Sequence, residues 1–147
     1  MPVTDTTTAP TVWARMAADV LGPEGATGGS ADDGRDALFG VGCPSRRLLD
    51  TITSRWGVLV VLALSERSMR WGELHRFIDG ISEKMLAQTL RALESEGLVH
   101  RASAGTVPPR VDYSLTDRGR QAAAVVEPLV RWVGQDTVAT ARRADAS

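Results

Sequence analysis

Between Trp71 and Leu115 the sequence changes periodicity in a way that few folds accommodate. A short apolar-periodic stretch, Trp71–Ile78, ends at Asp79-Gly80. That dipeptide marks a tight turn. Ser82 follows as a good N-cap, because its side-chain oxygen accepts from an otherwise orphan backbone N–H. A second helix is then expected to run to Glu96, with Glu83 favourable in its first turn and Gly97 as its left-handed stop. Beyond it, Leu98–Ala102 and Val111–Leu115 read as two strands joined by Ser103–Arg110. Two helices across a tight turn, followed by a hairpin, is the arrangement of a winged helix-turn-helix. The expected class is therefore mainly α with a small β-hairpin.

The flanking segments fit that class. Pro44–Thr53 reads as a helix, with Pro44 in its first turn and Leu48, Leu49 and Ile52 on one face. Trp56–Ser65 is apolar nearly all round, which suits a central helix packed on several sides. Ser68–Arg70 is a candidate short strand. In Trp71–Ile78 the residues Leu74, Phe77 and Ile78 are expected to point inward. Thr116 caps a long C-terminal helix in which Ala122, Val125, Val126, Leu129 and Val133 share a face, widened by Val130 and Trp132. Pro128 is expected to kink or divide that helix near Val126–Glu127. Such a wide apolar face in a small domain calls for a second subunit, the alternative being packing on the first two helices. The dimer interface is placed at Val125, Val126, Leu129, Trp132 and Val133.

Residues 1–42 read as an acidic leader. Val12, Trp13, Met16, Ala17, Val20 and Leu21 recur at helical spacing, predicting a short helix at Thr11–Leu21. Gly22–Gly42 holds almost no large apolar residues and is expected to stay largely disordered. The intended division is thus leader 1–42, winged domain 43–115, and dimerisation helix with tail 116–147.

Charge is unevenly spread. The formal net charge of -1 combines -4 in residues 1–42, +2 in 43–115 and +1 in 116–147. The position of the cations, rather than the total, decides whether a surface suits a polyanion. With Leu86 as the inward reference at about 100° per residue, Leu90 and Leu93 fall beside it, whereas Lys84, Gln88 and Arg91 fall opposite. Lys and Arg bind phosphate or guanine acceptors, and Gln pairs with adenine. Double-stranded DNA is the expected partner, and the alternative for this stripe is a solvated polar face. Ser82 at the helix start suits a phosphate, Arg110 a groove or backbone contact, and Arg70 and Arg76 flanking phosphates.

No acid–base or nucleophilic set is visible, so no enzyme is expected, and no metal or cofactor either. His75 and His100 are isolated and expected on solvated faces or element ends. No apolar run reaches the roughly 18–20 residues of a membrane span. The start of the chain lacks the basic residues of a secretory signal, and a cytoplasmic location is expected. The single cysteine, Cys43, excludes an internal disulfide. It lies before a helix N-terminus, close to Arg46 and Arg47, where positive potential favours thiolate. It reads either as a redox-sensing residue or as an inert, partly buried thiol. A small apolar inducer is the other candidate signal, with Trp56, Trp132 and Trp13 either lining a cleft for it or serving as core and interface. A winged helix that binds another protein is the rival to DNA binding.

Taken together, the motifs resemble the HxlR-type regulators. The resemblance rests on Cys43-Pro44, Trp56, Gly72-Glu73-Leu74, and the run Gly80-Ile81-Ser82-Glu83-Lys84-Met85-Leu86. It continues through Leu90, Leu93-Glu94, Gly97-Leu98-Val99, Val107-Pro108-Pro109-Arg110-Val111, Tyr113-Ser114-Leu115-Thr116 and Gly119. It covers about Cys43–Trp132. It implies a winged-helix homodimer on an inverted-repeat operator, and some members sense oxidants or electrophiles at a cysteine in the Cys43 region. Two features depart from the pattern. Trp71 replaces a more usual Phe, and Ser54-Arg55 a common Gly-Lys. The leader is also longer than is usual.

Overall fold

A computed structural model describes residues 12–22, 35 and 38–147. In chain order its elements are α1 (Val12–Leu21), α2 (Pro44–Thr53), α3 (Arg55–Glu66), β1 (Met69–Arg70), α4 (Trp71–Phe77), α5 (Glu83–Ser95), β2 (Val99–Ala104), β3 (Arg110–Leu115) and α6 (Asp117–Asp145). Two compact units divide it, Met1–Leu49 and Asp50–Ser147.

The first unit holds α1, which starts where its periodicity predicts. Ala17 is buried, and the Trp13 and Phe39 rings meet edge to face with centroids 6.0 Å apart. Leu38 is buried as well. Within Gly22–Gly42, expected to stay largely disordered, Phe39 thus meets an apolar partner on α1. The rest of that expectation, at 23–34 and 36–37, lies outside the described residues.

In the second unit α3 is the central element, packing against α4, α5, α6 and β3. Val60 and Val61 are fully buried, as the all-round apolar pattern requires. Ser54 explains its own departure from a glycine. It is the N-cap of α3, where its Oγ accepts from Gly57 N at 3.1 Å and donates to the Thr51 carbonyl at 2.9 Å. α4 buries Leu74 and is followed by the buried Ile78, but Phe77 lies exposed. The inward expectation for Phe77 fails because the helix ends there and the extended Ile78 takes the inward place. α5 buries Leu86, Leu90 and Leu93. It stops where Gly97 adopts φ +73°, a conformation that costs other residues a steric penalty.

The hairpin gains a third strand. The antiparallel order is β1-β3-β2, with Met69 opposite Tyr113 and Tyr113 opposite Arg101. β2 and β3 run longer than expected, to Ala104 and from Arg110, leaving a five-residue loop at 105–109. Thr116 caps α6 by accepting from Gly119 N at 3.0 Å, and donates to the Gly97 carbonyl at 2.6 Å. The end of α5 and the start of α6 are thereby tied together.

α6 continues through Pro128 as one helix of 29 residues, so the proline does not divide it. A single missing donor is tolerable where Pro128 is exposed and water can reach the carbonyl it leaves unpaired. Ala122, Ala123 and Val126 are buried within the chain. Val126 therefore belongs to the intramolecular core, which corrects its place on an intersubunit face. Val125, Leu129, Trp132 and Val133 are exposed. From residue 127 to the end of α6 nothing is buried.

Gly119 is required by a close approach. A Cβ there would lie 2.0 Å from the Leu98 carbonyl oxygen. In an unconstrained helix Gly→Ala stabilises by about 0.8–1 kcal/mol. Here Gly119→Ala should instead destabilise by about 1–3 kcal/mol through overpacking, read as a lower urea midpoint at unchanged m-value.

Candidate nucleic-acid interface

α5 is held by its caps and its buried stripe, which leaves one long face open. Ser82 is extended at φ -75°, ψ 156°, and its Oγ accepts from Met85 N at 3.1 Å. Leu86 and Leu93 are fully buried and Leu90 nearly so. Thr89 is also buried, its hydroxyl donating to the Met85 carbonyl at 2.7 Å. Lys84, Gln88 and Arg91 are all exposed. Helix stability does not explain Lys84. A cation in the first turn opposes the positive end of the helix dipole.

The other expected contact residues lie on β1, α4 and β3. Arg70 ends β1 and precedes α4, and Arg76 lies in the last turn of α4, both exposed. Arg110 opens β3 at the base of the wing loop, where its Nε meets Asp112 Oδ2 at 3.3 Å. The α4 start is set by Glu73, which accepts from Arg70 N at 3.4 Å and from the Arg67 guanidinium at 2.6 Å. The Arg67 hydrogen bond, and after it that of the Arg70 backbone, hold the Glu73 carboxyl below its usual range. Among the described residues, the Ser82 hydroxyl accepts within its own turn and has no acceptor for its O–H.

Sequence reasoning placed the stripe but missed its neighbour across the cleft. Arg101 stands on β2 beside Tyr113 on β3, and with Arg91, Glu94 and Trp71 it lines the space between α5 and the sheet. Only the strand register brings Arg101 there, and local sequence carries no signal for it. His75 is half-buried and stacked on Trp71, with centroids 5.3 Å apart and rings within 3° of parallel. His100 lies exposed on β2. Cys43 is half-buried at the start of α2, its carbonyl accepting from Arg46 N and Arg47 N at 3.1 and 3.3 Å. Trp56 is half-buried with the Arg55 guanidinium 5.2 Å from its ring centre, whereas Trp132 is exposed on α6. Among the described residues no group of three or more His, Cys, Asp or Glu side chains is gathered to hold a metal ion. Among them, too, no single helix is long and apolar enough to cross a membrane.

The HxlR-like helix-turn-helix family pattern matches residues 51–140. The chain belongs to that family. Over 96 residues it is 50% identical to the HTH-type transcriptional regulator YtfH of Escherichia coli (strain K12), spanning 65% of this chain and 76% of that one. A solved structure of the transcriptional regulator ytfH from Salmonella typhimurium is 44% identical with a TM-score of 0.66, over 74% of this chain and 96% of that one. The redox regulator HypR in its oxidized form is 34% identical with a TM-score of 0.58, over 63% of this chain and 96% of that one. As a member of this family the chain is a transcriptional regulator with a helix-turn-helix domain, and not an enzyme. The matched span takes in every element from α3 to β3 and most of α6. It leaves α1 outside.

Proposed function

We propose that the protein binds double-stranded DNA as a homodimer, with α5 as the recognition helix and the β2–β3 loop as the wing. The observation that carries this reading is the open face of α5. Its buried stripe fixes the helix on the core, so Lys84, Gln88 and Arg91 form one exposed row of two cations and an amide. That chemistry suits guanine and adenine edges in a major groove. Ser82 supplies a phosphate contact at the helix start, and Arg110, Arg70 and Arg76 supply positioning contacts around it. Arg110 would exchange part of its attraction to Asp112 for a phosphate.

Lys84→Ala with Arg91→Ala should abolish specific operator binding while the fold and assembly are retained. The check is DNA selected from a random pool and then titrated by fluorescence anisotropy, with wild-type affinity falling steeply as salt rises. Sequence-specific binding that survives the double substitution removes α5 from this role. Binding that is insensitive to salt favours the rival reading, a winged helix that docks another protein.

The homodimer rests on α6. Its first turns pack on α3, but no residue from 127 to 145 is fully buried within the chain. Most helical stability in proteins comes from packing of an apolar face rather than from propensity. Val125, Leu129, Trp132 and Val133 share the exposed apolar side, with Val125 at 74% and Trp132 at 61% exposure. Covering this side with a second copy stabilises the helix and spaces two recognition helices for an inverted repeat. Leu129→Glu with Val133→Glu should convert a dimer to a monomer by light scattering on a sizing column. A variant that stays dimeric places the interface elsewhere.

The likeness to HypR, a redox regulator, favours a second reading, in which Cys43 makes DNA binding responsive to oxidants. Two Cys43 thiols from two subunits would form a disulfide, passing two electrons and two protons to a peroxide. Cys43→Ser should then abolish the change in operator affinity that hydrogen peroxide produces in the wild type. An equal change in both proteins rules the cysteine out.

A further inference from the structure

We propose that the cleft between α5 and the wing is a binding site for a small, planar aromatic monocarboxylate. The cleft has a volume of about 350 Å³. That is at the lower end of the roughly 300–1,000 Å³ usual for small-ligand sites, and it suits one ring better than a fused system. Its apolar lining comes from Trp71, Leu90 and Tyr113, and its charged lining from Arg91, Arg101 and Glu94.

The sheet register builds one wall. Met69, Tyr113 and Arg101 stand in one cross-strand row, so Arg101 follows directly after the buried Met69 and Tyr113. The helix period builds the other. Relative to the buried Leu86, Leu90, Glu94 and Arg91 fall on one flank of α5, within about 40–140° of it. Trp71 completes the site, its indole held in place by the stacked His75 imidazole.

The charges determine the ligand. Among the described residues no side chain hydrogen-bonds or ion-pairs with the side chains of Arg91, Arg101 or Glu94. Two guanidinium groups without internal partners, on opposite walls, suit the two oxygens of one carboxylate. Glu94 leaves a formal charge of +1 in the cleft, which favours a monoanion over a dianion. Trp71, half-buried, gives a ring a surface to stack on, beside the exposed edges of Leu90 and Tyr113. A bare inorganic anion would leave that surface unused. The site has its own chemistry and does not depend on whether α5 reads DNA.

The test is isothermal titration calorimetry on the full chain without DNA, so its failure is distinct from any failure of the DNA-binding reading. Benzoate is the probe. Benzyl alcohol supplies the ring without the charge, and acetate the charge without the ring. Benzoate should saturate at concentrations where neither control does. Arg101→Ala, on an exposed wing strand, should weaken benzoate about tenfold or more, the usual effect of losing a hydrogen bond to a charged group. Glu94→Gln should tighten it, an effect opposite in sign to that of a damaged fold. Equal affinity for benzoate and the two controls, unchanged affinity in Arg101→Ala, or weaker affinity in Glu94→Gln would each overturn the proposal. So would an Arg101→Ala variant that loses DNA affinity when the wild type does not bind benzoate, since a DNA phosphate is then the occupant.

Discussion

Burial of α3 is the constraint on which the rest of the regulator domain depends. Its residues Val60, Val61, Ala63 and Leu64 have almost no contact with solvent. A helix that is apolar from Trp56 to Leu64 cannot remain in water, so α4, α5, α6 and β3 close around it. Each covering element has apolar residues enough for only one side. α5 presents Leu86, Leu90 and Leu93 inward, and its opposite face is left for other chemistry. The exposed row of Lys84, Gln88 and Arg91 is a geometric consequence of that burial. A one-residue shift in the helix would rotate the row by about 100° and turn it away from any partner.

A second tie holds α5 in place at its far end. Gly97 ends the helix in a left-handed conformation, and its carbonyl accepts from Thr116 Oγ1. Leu98 follows, its carbonyl accepting from Thr116 N at 3.0 Å. Arg118 reaches back to the Glu96 carbonyl. The start of α6 thus sits directly on the end of α5, too close for any side chain at Gly119. α6, where the proposed second subunit would bind, is therefore joined to α5 by direct contacts rather than by a flexible linker. The cleft beside Arg91 lies on the other flank of the same helix. Both α6 and the cleft therefore adjoin the element that carries the exposed row.

Much of this was legible from local sequence. Ser54 also caps its helix, at a position where the family resemblance marks only a departure from glycine. Ser82, Thr116, Gly97 and Asp79-Gly80 stand where the chain starts, stops or turns, because capping and left-handed conformations depend on one residue and its immediate neighbours. The helical stripe was also legible, since a period of 3.6 residues places inward and outward faces without knowledge of the fold. Phe77 and Val126 were not placed correctly. Periodicity says which residues share a face, but not where a helix ends against its neighbours or which stretch of a long face the core covers.

For this protein the sequence by itself determined the winged helix-turn-helix plan, the caps of α5 and α6, and the row Lys84, Gln88 and Arg91. Each follows from interactions over a few residues along the chain. Only the tertiary structure decided that β1 joins the sheet, that α6 runs past Pro128 with its second half bare, and that Arg101 faces Arg91 across a cleft beside Trp71. Those facts depend on strand register and helix packing between residues far apart in sequence. Many registers satisfy the same local pattern, and the shared core around α3 selects among them.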